Sequence, residues 1–122
     1  MSRKRKGQGR EAEYPGWVRV GEDQILSADI VERMQAAHPG GMEAEARQTL
    51  DNIRTTLDAH GYAMKDLIKC TVMLADMDDW GAFNQIYQSY FQPPYPARSA
   101  FGANGLALGA RVELECIAAI PS

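Results

Sequence analysis

Two segments of the 122-residue chain alternate apolar and polar side chains with a period of two. In "DLIKCTVMLADM", Ile68, Cys70, Val72 and Leu74 fall on one side, and Lys69, Thr71, Met73 and Ala75 on the other. In "RVELECIAAI", Val112, Leu114, Cys116 and Ala118 alternate with Arg111, Glu113, Glu115 and Ile117. Successive side chains of a strand point to opposite faces, so each segment predicts a strand with one apolar and one mixed face. The mixed faces are too polar for the core of a monomer and too apolar for open solvent. Burial in a subunit interface, with polar groups lining clefts, reconciles the two.

The remaining chain supplies what packs on the apolar faces. Trp17 to Val20 and Ile25 to Ile30 flank a polar turn containing Gly21 and read as a hairpin. Residues 31–42 are ambiguous and end in the loop signal "HPGG". From Glu43 to His60, Ala46, Leu50, Ile53 and Leu57 recur at helical spacing, with Gly61 placed to end the helix. "DDWGAFNQIYQSYF" sets Trp80, Phe83, Tyr87 and Tyr90 along a second helical stripe behind acids that favour a helix N-terminus. We read that stripe as core. A Pro-rich loop leads to "RSAFGANGL", read as a strand that Gly102 and Gly105 weaken, through close backbone approach or a bulge. The order is β-β-α-β-α-β-β, an α+β layer with both helices on one face of a sheet.

A chain of this length buries roughly two-thirds of its unfolded surface and needs no metal or disulfide staple. Residues 1–12 read as a disordered basic tail and 13–122 as a single domain. The first ten residues hold five of the 13 Lys and Arg and no acid, which leaves eight basic side chains against all 16 acids in the rest. Such an acidic body argues against nucleic acid as the main partner, because phosphate contacts need a basic face. No apolar run approaches the roughly 20 residues that span a bilayer, and no apolar segment follows the N-terminal charges as in a secretory signal. The expectation is a cytoplasmic protein without membrane partner. Cys70 and Cys116 fall in the strands, where buried free thiols are favoured over a disulfide. His38 and His60 are solitary, and no Cys/His pair has metal-ligand spacing.

Arg98, in "PPYPARSAFGANG", is a lone cation among small and apolar neighbours. A guanidinium matches a planar carboxylate through its paired N–H groups. Spacing alone leaves two readings open, a ligand carboxylate or a structural salt bridge to Glu113 or Glu115. Glu113 and Glu115 share the face away from the helices, where two like charges are costly unless paired, hydrated or used. A carboxylate beside such an arginine could position and activate a water.

"QTLDNIRTTLDAHG", "DLIKCTVMLADMDDWGAFNQIYQSYF", "PARSAF" and "GARVELECIA" resemble, in order and nearly in spacing, the Rid/YjgF family of small cytosolic imine deaminases. The resemblance runs from about Tyr14 to Ala119. It implies a chorismate-mutase-like α+β fold, a six-stranded, mainly antiparallel sheet with two helices on one side, and a homotrimer with ligand clefts between subunits. It also implies hydrolysis of 2-imino or 2-enamino acids to 2-oxo acids and ammonia, without cofactor or metal. The substrate-binding arginine falls on Arg98 and the water-orienting glutamate on Glu113. A cleft tyrosine falls on Tyr14, and the Ala100 backbone N–H would also meet the carboxylate. Ala28 stands where many members have a glycine near the cleft, and "NGLALG" replaces an "ARLPKG"-like turn; both bear on the preferred substrate. The alternatives are a pathway-specific enamine deaminase, of aminoacrylate or aminomuconate type, and a non-catalytic trimer that binds small carboxylates. Ribonuclease-like activity claimed for the family would find support only in the basic tail.

Overall fold

The computed structural model describes residues 17–21 and 24–30 by their backbone and residues 40–119 in full. The basic tail, Tyr14, the tip of the first hairpin and His38 lie outside the described residues. The elements follow the expected order: β1 (Trp17–Gly21), β2 (Gln24–Ile30), α1 (Gly41–Ala59), β3 (Leu67–Leu74), α2 (Trp80–Gln88), β4 (Ala97–Gly102) and β5 (Val112–Ala119). The five strands form one sheet in the order β1-β2-β5-β3-β4. Its pairs are antiparallel except for β3 with β4, which run parallel across the α2 connection. β5 is thus central, in keeping with its apolar alternation.

Burial follows the period of two. Val112, Leu114, Cys116 and Ala118 are buried, as are Cys70, Val72 and Leu74, while every intervening residue of β5 is half-buried. These faces meet Ala46, Leu50, Ile53 and Leu57 of α1 and Phe83, Ile86 and Tyr87 of α2 in one core. Both helices therefore lie on the same side of the sheet. At a rough 1.5–3 kcal/mol per large apolar side chain, that burial is the main favourable term in folding.

One expected core residue is displaced. Ile68 is 48% exposed, and Leu67 takes the inward position at that end of β3. The cause is a register shift: Leu67 faces Ala118 and Lys69 faces Ile117, which leaves Ile68 as an extra residue against β5. β4 is also shorter than expected. It ends at Gly102, where a Cβ would stand 2.7 Å from Met77 Cγ, and Gly105 lies in the turn beyond with φ +106°. Close approach is Gly102's reason; a left-handed turn is Gly105's.

α1 ends at a left-handed Gly61 with φ +82°. The Tyr62 N–H donates to Leu57 O at 2.9 Å and the Gly61 N–H to Asp58 O at 3.2 Å, a paired closure of the last helical carbonyls. Near its start α1 carries a charge that periodicity does not anticipate. Glu45 is fully buried, and its Oε2 accepts the backbone N–H of Arg111 at 2.6 Å and of Val112 at 3.1 Å. Its Oε1 accepts from Arg111 Nη1 at 3.1 Å. The carboxylate ties the start of the central strand to the helix and leaves its own buried charge fully hydrogen-bonded.

Candidate active site

The site is built around Arg98 on β4, the outermost strand on its side of the described sheet. Pro96 stiffens the entry into that strand. The parallel register sets Arg98 beside Cys70 of β3, on the face toward the helices. There it meets α2. Arg98 Nη1 donates to Asn84 Oδ1 at 2.8 Å. Its Cζ lies over the Trp80 ring, 4.8 Å from the centroid, and over the Tyr87 ring, 4.6 Å from the centroid. Trp80, Asn84 and Tyr87 follow one another at i, i+4 and i+7, so one helical stripe supplies all three. Aromatic faces carry negative potential and attract a cation without neutralising it.

Among the described residues no acid forms an ion pair with Arg98; the ion pairs there are Arg54 with Asp51 and Arg111 with Glu45. The salt bridge to Glu113 or Glu115 that spacing left open does not form. Nor do arginine and glutamate share a face. Glu113 and Glu115 alternate with the buried residues of β5 and so lie on the sheet face away from the helices. There Glu113 is opposite Met73 and Ile30, and Glu115 opposite Thr71 and Ala28. β3 separates β5 from β4, so Arg98 and Glu113 of one chain do not meet across a common cleft. Ala100, two residues on from Arg98, is half-buried against the core. On such an outer strand, alternate backbone N–H groups point away from the ladder and are open to a ligand or another chain.

Behind the arginine lies the cysteine pair. Cys70 and Cys116 are free thiols, directly opposite each other on β3 and β5, with their Sγ atoms 2.8 Å apart. The Cys116 thiol donates to Cys70, which holds Cys70 below the ordinary thiol value; Tyr87 and the Arg98 charge act in the same direction. The same hydrogen bond, then burial, pushes Cys116 well up. The Tyr87 hydroxyl is buried, and no hydrogen-bond partner meets it in good geometry. That burial, then the neighbouring Cys70, raises Tyr87 far above the ordinary phenol range. Among the described residues no group of three or more Cys, His, Asp or Glu is placed to hold a metal ion.

Helical periodicity assigns Trp80 and Tyr87 to the core and passes over Asn84. Phe83 and Tyr87 are indeed buried, but Tyr87 serves core and arginine at once, and Trp80 is only half-buried. The i, i+4, i+7 spacing of two aromatics and an amide was the available signal.

A family model described as endoribonuclease L-PSP matches residues 16–120. The chain belongs to that family, the Rid/YjgF proteins. A mouse relative named 2-iminobutanoate/2-iminopropanoate deaminase is 48% identical over 80 residues, which cover 66% of this chain and 59% of that one. A relative of the same name from the mite Dermatophagoides farinae is 33% identical over 109 residues, 88% of this chain and 85% of that one. The match spans about three-fifths of the length of the first of these curated relatives. The crystal structure of Escherichia coli TdcF with bound serine superposes with a TM-score of 0.78 at 27% identity, covering 87% of each chain. The Rid/YjgF fold, an α+β layer of two helices on a mixed sheet, is therefore shared with solved relatives.

Proposed function

We propose that this Rid/YjgF chain is an imine and enamine deaminase: a 2-imino acid and water give a 2-oxo acid and ammonia. The observation that carries the reading is Arg98, a half-buried guanidinium held by two rings and an amide, with no carboxylate paired to it among the described residues. Such a cation is suited to a small carboxylate. Two relatives named as 2-iminobutanoate/2-iminopropanoate deaminases, and one solved with an amino acid bound, support the substrate class.

In this reading Arg98 holds the carboxylate, together with the Ala100 N–H. Glu113 orients the attacking water, takes its proton as oxygen bonds to the imine carbon and returns it to the nitrogen. The C–N bond then breaks as the hydroxyl loses its proton to form the carbonyl, and the nitrogen leaves as ammonia. Tyr14 helps close the cleft, and Ala28 borders it. A protonated imine is already a strong electrophile, so orientation and charge complementarity suffice. Because Arg98 and Glu113 occupy opposite faces of one sheet, the reading needs a second chain to bring a glutamate to each arginine. The family resemblance implies a homotrimer with clefts between subunits, which would meet that need and cover the half-polar face of β3 and β5. The reading also takes residues 13–122 as one domain, with a sixth strand beyond the five described. The cell compartment is the cytoplasm, where the enzyme clears reactive imines as metabolite damage control. No described helix is long and apolar enough to cross a membrane.

The test uses an amino acid oxidase to generate 2-iminobutanoate and measures accelerated 2-oxobutanoate release. Loss of a carboxylate's charged partner costs about 2–5 kcal/mol, so Arg98→Ala lowers kcat/KM by roughly 30- to several-thousand-fold. Arg98→Lys fails nearly as badly, since an ammonium cannot reproduce the two-pronged contact. Glu113→Gln loses turnover and keeps carboxylate binding. A folded Arg98→Ala protein with full activity, or one whose melting temperature collapses, overturns the assignment.

A further inference from the structure

The contacts that hold Arg98 share a property: none carries charge. Asn84 accepts from Nη1 at 2.8 Å, and Trp80 and Tyr87 offer ring faces at 4.8 and 4.6 Å. An aspartate at position 84 would hold the guanidinium more strongly, because it adds the attraction of an opposite charge to a hydrogen bond that now has only an ionised donor. It would also supply the anion that the site is built to receive. An amide does one job without the other.

We propose that Asn84 is a positioning residue whose neutrality is the functional requirement: with Trp80 and Tyr87 it fixes the plane and direction of the Arg98 guanidinium while leaving its charge uncompensated for a substrate carboxylate. This rests on the deaminase reading and deepens it. With Nη1 engaged by Asn84, and no hydrogen-bond partner for Nε or Nη2 among the described residues, the Nε and Nη2 N–H groups form the paired edge left for a ligand. The rings lie against the guanidinium, so a carboxylate approaches in its plane, which selects bidentate over single-point contact. The support is rigid. Phe83 and Ile86 of the same helix are buried in the core, and the Tyr87 ring packs 5.9 Å from that of Phe83, so the clamp moves only with α2 itself.

The inference separates binding from stability. A merely structural Asn84 would tolerate aspartate with equal or better results in every measurement. A neutral clamp predicts that the two readouts part. For the purified full chain, melting temperature and the Kd for 2-oxobutanoate, by calorimetry or Trp fluorescence, are measured on the same preparations. Asn84→Asp keeps or raises the melting temperature and weakens 2-oxobutanoate by about tenfold or more, since the new carboxylate competes for the guanidinium. In turnover the loss appears in KM more than in kcat. Wild-type binding with an Asn84→Asp affinity within twofold of it overturns the clamp and leaves the carboxylate site standing. Absence of wild-type binding overturns both. If Asn84→Asp does not fold, Trp80→Leu decides: roughly three- to tenfold weaker binding is expected from a loosened guanidinium, and unchanged affinity overturns the proposal.

Discussion

Glu45→Ala is the substitution that should cost the fold most for a single polar side chain. The carboxylate is fully buried and accepts from two consecutive backbone N–H groups, those of Arg111 and Val112, at 2.6 and 3.1 Å. Hydrogen bonds to a charged acceptor contribute about 1.5–3 kcal/mol each, and a buried donor left without a partner costs about 1–3 kcal/mol. The Arg111 guanidinium adds little, because it is 40% exposed and water screens the pair. Taken together, about 3–5 kcal/mol is lost, the range for breaking a buried charged interaction. Against a total stability of about 5–15 kcal/mol this is a large share. It corresponds to a melting temperature roughly 10–20 °C lower. Glu45→Gln separates geometry from charge. Its carbonyl can still accept both backbone N–H groups while Arg111 turns to water, so the loss falls to about 1–2 kcal/mol. Thermal and urea unfolding of the three proteins side by side measures both. A Glu45→Ala protein within about 3 °C of the parent, or a Gln variant as damaged as the Ala variant, would refute this reasoning.

Two further outcomes follow from the packing behind Arg98. Burial and Cys70 keep Tyr87 protonated far above the ordinary phenol range, so the folded chain retains a proton that the unfolded chain releases above about pH 10. The stability from this group is whole below that pH and is lost by about 1.4 kcal/mol per pH unit above it; Tyr90, raised by burial and by its hydrogen bond to Asp51, acts with the same sign. Tyr87→Phe removes a hydroxyl without a well-placed partner, so urea midpoints should hardly change at pH 8 and should fall less steeply than the parent's by pH 11; an identical alkaline slope counts against this account. Cys70 and Cys116 are 0% and 1% exposed, so neither should react quickly with a thiol reagent in native buffer, and both should become reactive at one urea midpoint. Rapid labelling of either in the folded protein would show that the core opens locally.

Strands, helices and the inward residues of β5 were legible because each depends on short-range periodicity. When one face of a strand must leave water, Val112, Leu114, Cys116 and Ala118 can only lie on the same side, whatever the strand's neighbours are. The same local logic places Gly61 at the end of α1. Arg98 stood out in the sequence as a lone cation among small and apolar neighbours, and the family's motif falls on the same residue. Tertiary structure decided everything that depends on which segments become neighbours. The extra residue at Ile68 exists because β3 must keep register with β5 on both sides of it, and no pattern within β3 encodes its partner's spacing. Glu45 looks like a surface acid until the start of β5 is brought against α1 and offers it two N–H groups, 66 and 67 residues away in sequence. The direction of Arg98 was decided in the same way. On an outer strand its side chain has two faces available, and the rings of Trp80 and Tyr87 with the Asn84 amide draw it to the helix side, away from Glu113. Sequence spacing carries the period of a chain but not the free energy of contacts between distant segments, and it is those contacts that aim the arginine.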